Sequence, residues 1–185
     1  MIPTVHIIHN PARMDRLAIF YYEASSQGMP FVIHTAVMDD QMPIRGTNRS
    51  HRMIVQLARD SGWPEVWIGE DDMKFFDRGA FDHFYSNKPK DFDLYLSGIF
   101  HGDIEEDGTV KDFSGMTLYC VHRRFYEKFL QVNPHDNIDR ALAGLGKYVV
   151  CDPIVTTQYG GFSDNKKTFV RDYEKYLEGR RIFKR

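Results

Sequence analysis

A short apolar run that ends in three adjacent acids constrains the fold of this chain most strongly. Residues 66–68, Val-Trp-Ile, combine β-branched and aromatic side chains, and Gly69 separates them from Glu70, Asp71 and Asp72. Such a run is typical of a strand that is buried on both faces of a sheet. Residues that follow a strand of this kind lie at the carboxyl edge of an open α/β sheet, where these folds bind ligands. The pattern therefore predicts that the three acids lie at a binding edge.

The three adjacent carboxylates of Glu70, Asp71 and Asp72 repel one another unless a cation compensates their charge. Hard oxygen ligands of this kind suit Mg²⁺ or Mn²⁺, which in proteins often bind substrate phosphates as well. A solvated acidic turn would explain the same local sequence. The acids by themselves therefore leave two hypotheses open, a divalent metal site and an exposed turn.

The length and composition of the chain predict one domain over residues 1–185. With 42% hydrophobic residues in 185, the chain can bury one sizeable core. A net charge of -2 argues against a nucleic-acid-binding protein that relies on a general basic surface. Cys120 and Cys151 lie in apolar stretches without metal-ligand spacing and are expected to be reduced. Together with the absence of a long uncharged apolar run, this predicts a cytoplasmic location.

The first forty residues predict a strand, a helix and a second strand. Residues 4–8 have the character of a strand, and Asn10 followed by Pro11 predicts the start of a helix. Gly28 predicts the end of that helix, and residues 31–37 predict the second strand. The inward-facing stripe of the helix is predicted from five residues at helical spacing: Met14, Leu17, Ala18, Tyr21 and Tyr22.

The remaining chain continues this alternation. A helix is predicted to begin near Thr47 or Asn48 and to end at Gly62, with an inner face formed by Ser50, Met53, Ile54, Leu57 and Ala58. Further strands are predicted at residues 93–100, 115–121 and 148–151, and a short helix after Asp136 or Asn137. The order of elements predicts an α/β fold with a mostly parallel central sheet flanked by helices.

Arginines near the start of the first predicted helix need an anionic partner. Arg13 and Arg16 lie where positive charge opposes the helix dipole, and a diphosphate would compensate them. The alternative is a pair of exposed arginines that bind Asp15 or Glu23.

The end of the chain is predicted to be a basic helix or tail over residues 168–185. Phe169, Tyr173, Tyr176 and Leu177 have a spacing compatible with a helix. Four basic residues follow and could contact an anionic membrane surface or simply be solvated: Arg180, Arg181, Lys184 and Arg185.

Several short motifs follow one another along almost the whole chain, in an order that would rarely arise by chance. They are Asn10 with Arg13 and Arg16; Ala-Val-Met-Asp at residues 36–39; Ser50-His51; Ile-Gly-Glu-Asp-Asp at residues 68–72; Ile138-Asp139; and residues 153–158 with Phe162-Ser163. Taken together, these motifs resemble glycosyltransferase family 25, the lipooligosaccharide and procollagen galactosyltransferase-like group.

The resemblance implies a GT-A-type fold and the transfer of a sugar from a nucleoside-diphosphate sugar, with a UDP-hexose as the expected donor, to a glycan or other hydroxyl acceptor. It implies Mn²⁺ or Mg²⁺ at a DXD-like site formed by Glu70, Asp71 and Asp72. The implied donor-binding residues are Asn10, Arg13, Arg16, Asp39 and Asp71. Asp139 matches a late Asp of the family and is the expected base of an inverting transfer, although a helix-start carboxylate would look the same.

Other assignments stay open at the level of sequence. His51 is grouped with Asp139 as a candidate catalytic residue that orients the metal loop or the donor, and the alternative is a surface or packing residue. A last metal ligand is expected among Gln158, Ser163, Asp164 and Asn165, and other possible bases are Asp103, Glu105, Glu106 and Asp164. Nucleotidyl transfer is a second function, although no Gly-rich, Lys-bearing loop follows the first strand. A non-catalytic domain that binds a glycan or a partner is a third.

Overall fold

The computed structural model describes residues 2–163 and 167–185, and within them it contains five α-helices and eleven strands. The helices are α1 Met14–Ser26, α2 Pro43–Asp60, α3 Ala80–Ser86, α4 Tyr126–Leu130 and α5 Ile138–Leu142. The strands are β1 Val5–His9, β2 Phe31–Thr35, β3 Glu65–Glu70, β4 Met73–Phe75, β5 Leu94–Leu96, β6 Thr109–Val110, β7 Leu118–His122, β8 Tyr148–Val150, β9 Thr156–Gln158, β10 Gly161–Ser163 and β11 Thr168–Val170. Short 3₁₀ turns occur at Arg123–Phe125 and Glu174–Leu177.

Seven of these strands form the central sheet, in the order β2-β1-β3-β7-β5-β8-β6. The pairs β1·β2, β1·β3 and β5·β8 are parallel, whereas β7 is antiparallel to both β3 and β5, and β6 is antiparallel to β8. Strands β1, β2, β3, β5 and β8 therefore point in one direction. The predicted α/β fold with a mostly parallel central sheet is confirmed.

Both faces of the central sheet are covered, as the apolar run of β3 predicts. Val66 and Ile68 pack into the core on the side of α2 and α4, whereas Trp67 packs into the core on the side of α1 and α3. The three side chains are 2%, 0% and 4% exposed. This alternation is the period of two that a strand imposes on its side chains. The fold thus holds β3 firmly and delivers the acids that follow it to the sheet edge.

Two smaller sheets lie beyond this edge. Strand β4 begins immediately after Asp72 and pairs with β9, so that Met73 is opposite Gln158. The hairpin of β10 and β11 pairs Phe162 with Phe169. The first of these sheets turns the chain back after the acids and places a C-terminal segment beside them.

Helix α1 differs from its prediction in start and in buried face. It begins at Met14 rather than at Pro11, because the Asn10 side chain accepts a hydrogen bond from the Ala12 N–H (3.0 Å) in a local turn. The predicted stripe is also wrong: Met14 and Tyr22 are 64% and 71% exposed. The buried residues are Phe20, Glu23 and Ala24. Phe20 meets Phe31 edge to face and Glu23 accepts the Phe75 N–H, and these long-range contacts set the rotation of the helix.

Helix α2 begins a turn earlier than predicted, at Pro43, a residue favoured in the first turn because its missing N–H costs nothing there. Gly46 lies inside this turn, where a Cβ atom would come within 2.5 Å of the Val37 carbonyl oxygen. The close approach packs the helix start onto the loop after β2. Met53 and Leu57, predicted to face inward, are 39% and 41% exposed.

The predicted C-terminal helix is not formed by the described residues. Thr168–Val170 is a strand, and only Glu174–Leu177 makes a 3₁₀ turn. The Asp172 carboxylate accepts the Glu174 N–H at 2.7 Å, which favours a local turn over a continuing helix. Gly179 has a φ of +80°, a conformation that stops helical structure.

The basic end of the chain is bound to the domain instead of being a free tail. Ile182 bridges to Ile154, Arg180 donates to the Gly102 carbonyl (2.8 Å), and Arg181 pairs with Asp152 (2.7 Å). None of the described helices is long and apolar enough to cross a membrane. Membrane contact through the basic residues stays a prediction.

Candidate functional site

A cavity of about 730 Å³ opens where the sequence predicts the binding edge. Its wall includes residues that follow β1, β2 and β3, and also the start of α5 and part of the C-terminal segment. A volume of this size is in the range of ligand-binding pockets. The predicted site residues that line it are Asn10, Arg16, Asp39, Glu70, Asp71, Asp72 and Asp139.

Glu70 and Asp72 form a carboxylate pair that one amide bridges. The Gln158 Nε2 donates to Glu70 Oε2 at 2.8 Å and to Asp72 Oδ1 at 3.2 Å. On its other side, Asp72 Oδ2 lies 3.0 Å from Arg16 Nη1. Gln158, one of the four C-terminal candidates, therefore contacts both acids. Ser163, a second candidate, also lines the cavity. Asp164 and Asn165, the other two, lie outside the described residues.

Asp71 is separated from this pair. Its Oδ2 lies 2.6 Å from His9 Nδ1 and accepts the Asn10 N–H at 3.2 Å, while its Oδ1 lies 3.5 Å from Arg16. Its side chain is only 4% exposed. In residues 2–163 and 167–185, no three His, Cys, Asp or Glu side chains converge as a metal-binding group. Asp71 thus fastens β1 to the loop after β3. The assignment of Glu70, Asp71 and Asp72 as metal ligands stays a prediction.

Burial dominates the electrostatics of the acids. Burial and, next to it, the nearby charge of Glu70 raise the pKa of Asp72 to about 7, although Arg16 opposes both effects. Burial also raises the pKa of Asp71, against the effect of the His9 hydrogen bond. An acid with so high a pKa lacks sufficient positive charge around it. One arginine does not neutralise the Glu70–Asp72 pair.

The two arginines of α1 have different roles. Arg16 contacts both Asp71 and Asp72 and donates to the Phe162 carbonyl at 2.9 Å. Arg13 donates to the same carbonyl but pairs with the exposed Asp15 at 2.8 Å. Arg13 lines a second, smaller cavity of about 300 Å³ and not the main one. Only Arg16 therefore faces the main cavity, and the alternative of a pair with Asp15 holds for Arg13.

His51 does not reach the cavity. Its side chain is fully buried, with Nδ1 2.7 Å from the Tyr119 hydroxyl and Nε2 3.2 Å from Glu70 Oε1. Helix α2 points His51 into the core, and its catalytic role stays a prediction. Its position suits the expected role of orienting the metal loop, since it fixes the orientation of Glu70 from behind.

Asp39 lies on the part of the wall that follows β2. It pairs with Arg45, accepts the Met42 N–H at 2.9 Å, and lies 3.8 Å from Arg49. The hydrogen bond from Arg45 holds the pKa of Asp39 below its usual range. Ser50 anchors the same loop, because its hydroxyl accepts the Val37 N–H at 2.8 Å. Asp39 is thus an ionised carboxylate in a fixed loop.

Asp139 lies at the start of α5, on the part of the wall that includes Gly115. Its Oδ2 accepts the Gly115 N–H at 3.0 Å, and its Oδ1 accepts the Arg140 N–H at 2.8 Å. Burial nevertheless raises the pKa of Asp139. The alternative bases Asp103, Glu105 and Glu106 are exposed and do not line the cavity. Asp164, the last alternative, lies outside the described residues.

Sequence reasoning missed two aromatic residues of the wall, Phe100 and Tyr173. Phe100 ends a predicted strand, so its place at the sheet edge was a usable signal. Tyr173 offered no such signal, because it reaches the cavity from a segment predicted to be a helix. The main cavity is therefore polar beside β3 and partly aromatic beside Asp139.

Comparisons with known proteins establish a similarity of fold and no similarity of sequence. No family model matches the chain, and no curated protein matches its sequence. The protein A197 from STIV is similar in structure with a TM-score of 0.55 at 11% identity, over 91% of this chain and 93% of that one. This similarity establishes a shared fold across nearly the whole length of both chains.

Two further solved structures are similar at lower scores. A glycosyltransferase involved in the glycosylation of the major capsid of PBCV-1 has a TM-score of 0.48 at 14% identity and 83% coverage of each chain. A mutant of Drosophila beta-1,4-galactosyltransferase 7, in complex with manganese, UDP-Gal and xylobiose, has a TM-score of 0.49 at 12% identity, over 100% of this chain and 76% of that one. Function must be argued from the site itself.

Proposed function

We propose that this protein is a GT-A-like glycosyltransferase that moves a sugar from a nucleoside-diphosphate sugar, with a UDP-hexose as the expected donor, to a hydroxyl acceptor. One observation carries the proposal: the Glu70–Asp72 pair and the separate, partly buried carboxylate of Asp139 line the same cavity. The Glu70–Asp72 pair suits a cation that binds a diphosphate, and the Asp139 carboxylate suits a general base. The motif order that resembles glycosyltransferase family 25 assigns the same residues to the same roles.

The residues present fit a divalent cation at the Glu70–Asp72 pair. The raised pKa of Asp72 indicates a carboxylate without sufficient counter-charge, and Arg16 and Gln158 are its polar neighbours. Mn²⁺ or Mg²⁺ would be held by these two carboxylates. Such an ion neutralises the negative charge that develops on a departing diphosphate.

Other residues of the wall would bind the donor. Arg16 reaches the acids from α1 and can contact a diphosphate bound beside them. Asp39, whose loop is fixed by Ser50 and Arg45, can accept hydrogen bonds from ribose hydroxyls. Asn10 lines the cavity between them at the end of β1. Arg13 is left out of this set because it pairs with Asp15.

Asp139 would act as the general base of an inverting transfer. As the acceptor oxygen forms its bond to the anomeric carbon, its proton passes to Asp139. The bond between that carbon and the diphosphate oxygen breaks, and the diphosphate leaves with the electron pair. A pKa raised by burial makes Asp139 a better proton acceptor than an exposed aspartate, provided that it is ionised.

A panel of donors tests the proposal. The purified protein is incubated with UDP-, GDP- and CMP-sugars, with Mn²⁺ or with a chelator, and release of the nucleotide product is measured. The expected result is release of a nucleoside diphosphate from one UDP-sugar, dependent on the cation. Release of pyrophosphate from a nucleoside triphosphate and a sugar phosphate would indicate nucleotidyl transfer instead. Binding without turnover of any donor would indicate a non-catalytic domain.

A further inference from the structure

An aromatic cluster forms part of the cavity wall and is not among the residues proposed above to bind the donor. Phe100 and Tyr173 line the cavity, with ring centroids 5.1 Å apart. Tyr176 supports both rings from behind, at 6.2 Å from each. Both Phe100 and Tyr173 are partly exposed. Apolar rings that stay accessible within a polar pocket are available to a ligand.

Phe100 is connected to Asp139 through a single residue. Gly115 has a φ of +98°, and a Cβ atom at this position would lie 2.6 Å from Cδ2 of the Phe100 ring. The ring therefore lies directly against the Gly115 backbone, which only glycine allows. The N–H of the same glycine donates to Asp139 Oδ2 at 3.0 Å. The ring and the carboxylate thus flank one residue and are held in fixed relation.

Tyr173 adds a second ring to the same cavity. It lines that cavity together with Phe100, Asp72 and Asp139. A group bound on the two rings therefore shares the cavity with the proposed cation site and the proposed base.

A pyranose ring has the chemistry that this surface recognises. One face of such a ring carries several C–H bonds and is apolar, while its hydroxyls point outward from the rim. The negative face of an aromatic ring attracts C–H groups, and a rigid aromatic side chain loses little entropy on binding. A flexible chain alcohol offers no comparable flat face.

We propose that Phe100 and Tyr173 form the acceptor subsite, which binds a pyranose ring of a glycan with one hydroxyl directed at Asp139. This inference rests on the proposed function and names the class of its acceptor. The nucleoside is assigned to the other end of the cavity, where Ile8, Ala36 and Val37 provide apolar contacts near Asp39. The aromatic end is then free for the acceptor.

Saturation-transfer NMR tests the subsite without any donor. Methyl β-D-galactopyranoside and methyl β-D-glucopyranoside serve as probes, with glycerol as a non-cyclic control. The wild-type protein should transfer saturation to the C–H protons on one face of a pyranoside and none to glycerol. Phe100→Leu, which keeps apolar volume but removes the ring, should lose the signal, and Phe100→Tyr should keep it. Tyr22→Leu is the control, because Tyr22 is 71% exposed on α1 and lines neither of the two cavities.

Kinetics and nucleotide binding then separate the possible failures. Phe100→Leu should raise the acceptor KM by roughly three- to tenfold, while the Kd for UDP with Mn²⁺ stays within twofold. A weakened Kd for UDP in Phe100→Leu would overturn the inference, because the rings would then hold the nucleobase. Equal transfer to glycerol and pyranosides would also overturn it. If the wild-type protein binds no nucleotide, the proposed function fails, and the NMR result alone decides whether the rings bind a sugar.

Discussion

The two ends of the main cavity are assembled in different ways. The donor half, defined by Arg16, Asp39, Glu70 and Asp72, follows β1, β2 and β3, which are adjacent and parallel. The acceptor half, defined by Phe100, Asp139 and Tyr173, comes from segments after β5, at the start of α5 and near the C-terminus.

The difference explains what holds each half in place. Hydrogen bonds of a parallel sheet align the carboxyl ends of neighbouring strands, so the donor half is positioned by backbone structure, as in the bond from the Asp71 N–H to the Ile8 carbonyl (3.2 Å). The acceptor half depends on single contacts, such as the Phe100 N–H to the Ser114 carbonyl (2.7 Å). Substitutions in the donor half should therefore affect the binding of the cation and the nucleotide through a change of charge. Substitutions in the acceptor half should affect the position of the acceptor or the chemical step.

The largest effect is expected from Asp139→Asn. Loss of a general base should lower kcat by about 10² to 10⁴, because the stabilisation it provides exists mainly in the transition state. The Kd for UDP and Mn²⁺, measured by calorimetry, should stay within a few-fold because the donor half is intact. Asp103→Asn is the matched control, since Asp103 is an exposed acid outside the cavity. Turnover close to that of the wild type would reduce Asp139 to a helix-start residue.

The pH profile gives the same substitution a second readout. Asp139 accepts a proton only when ionised, and burial raises the pKa of its carboxyl. For the wild type, kcat/KM should therefore fall as the pH falls, with a midpoint above the ~3.9 of a free aspartate. With Mn²⁺ at a saturating concentration, which keeps Asp72 ionised, this acidic limb should be absent from the residual activity of Asp139→Asn.

A smaller effect, confined to the donor half, is expected from Asp72→Asn. A ligand that binds only the folded state at 100 times its Kd stabilises that state by about 2.7 kcal/mol. Mn²⁺ with UDP should raise the Tm of the wild type accordingly and leave that of Asp72→Asn unchanged. Asp60→Asn, at the exposed end of α2, should respond like the wild type. An equal rise in the Asp72→Asn variant would show that Asp72 holds no cation.

With a chelator present and no cation bound, Asp72→Asn should increase the stability of the fold. Burial raises the pKa of Asp72 to about 7 in the folded protein, so its ionised form opposes folding at higher pH. Asp72→Asn should then be more stable than the wild type by about 1–3 kcal/mol at pH 8. The gain should shrink as the pH falls from 7 toward 4, because the carboxyl of the folded state becomes protonated, and it should vanish below about pH 3, where both states are protonated.

The contrast between the donor half and the acceptor half also explains which parts of the fold and of the site could be predicted from the sequence. The strand of residues 66–68, its alternating burial and the position of the acids follow from the apolar pattern and from the geometry of α/β sheets. The separation of Asp71 from its neighbours could not be predicted, because it depends on His9 and Asn10 from another strand end. Local sequence gives the edge on which a residue lies but not which side chain turns inward.

The C-terminal segment shows most clearly what local sequence cannot predict. Its spacing of Phe169, Tyr173 and Leu177 is compatible with a helix, yet the chain forms a strand and a 3₁₀ turn. Phe169 is 76% exposed whereas Leu177 is 1% exposed, a contrast set by packing against distant segments and not by helical periodicity. The aromatic surface of the acceptor half was missed for this reason, since Tyr173 belongs to this segment.

The smallest expected effect distinguishes two neighbouring arginines of that segment. Arg180 is partly buried and donates to the Gly102 carbonyl at 2.8 Å, close to Phe100, whereas Arg181 is 76% exposed in its pair with Asp152. Arg180→Gln should destabilise the fold by about 1–3 kcal/mol, because the partly buried Gly102 carbonyl loses a charged donor. Arg181→Gln should change stability by less than about 0.5 kcal/mol, since exposed ion pairs contribute little. Urea denaturation of the two variants measures both values. Equal values would mean that the segment does not pack on the acceptor half through Arg180, and the acceptor half would then lack one of the contacts that distinguish it from the donor half.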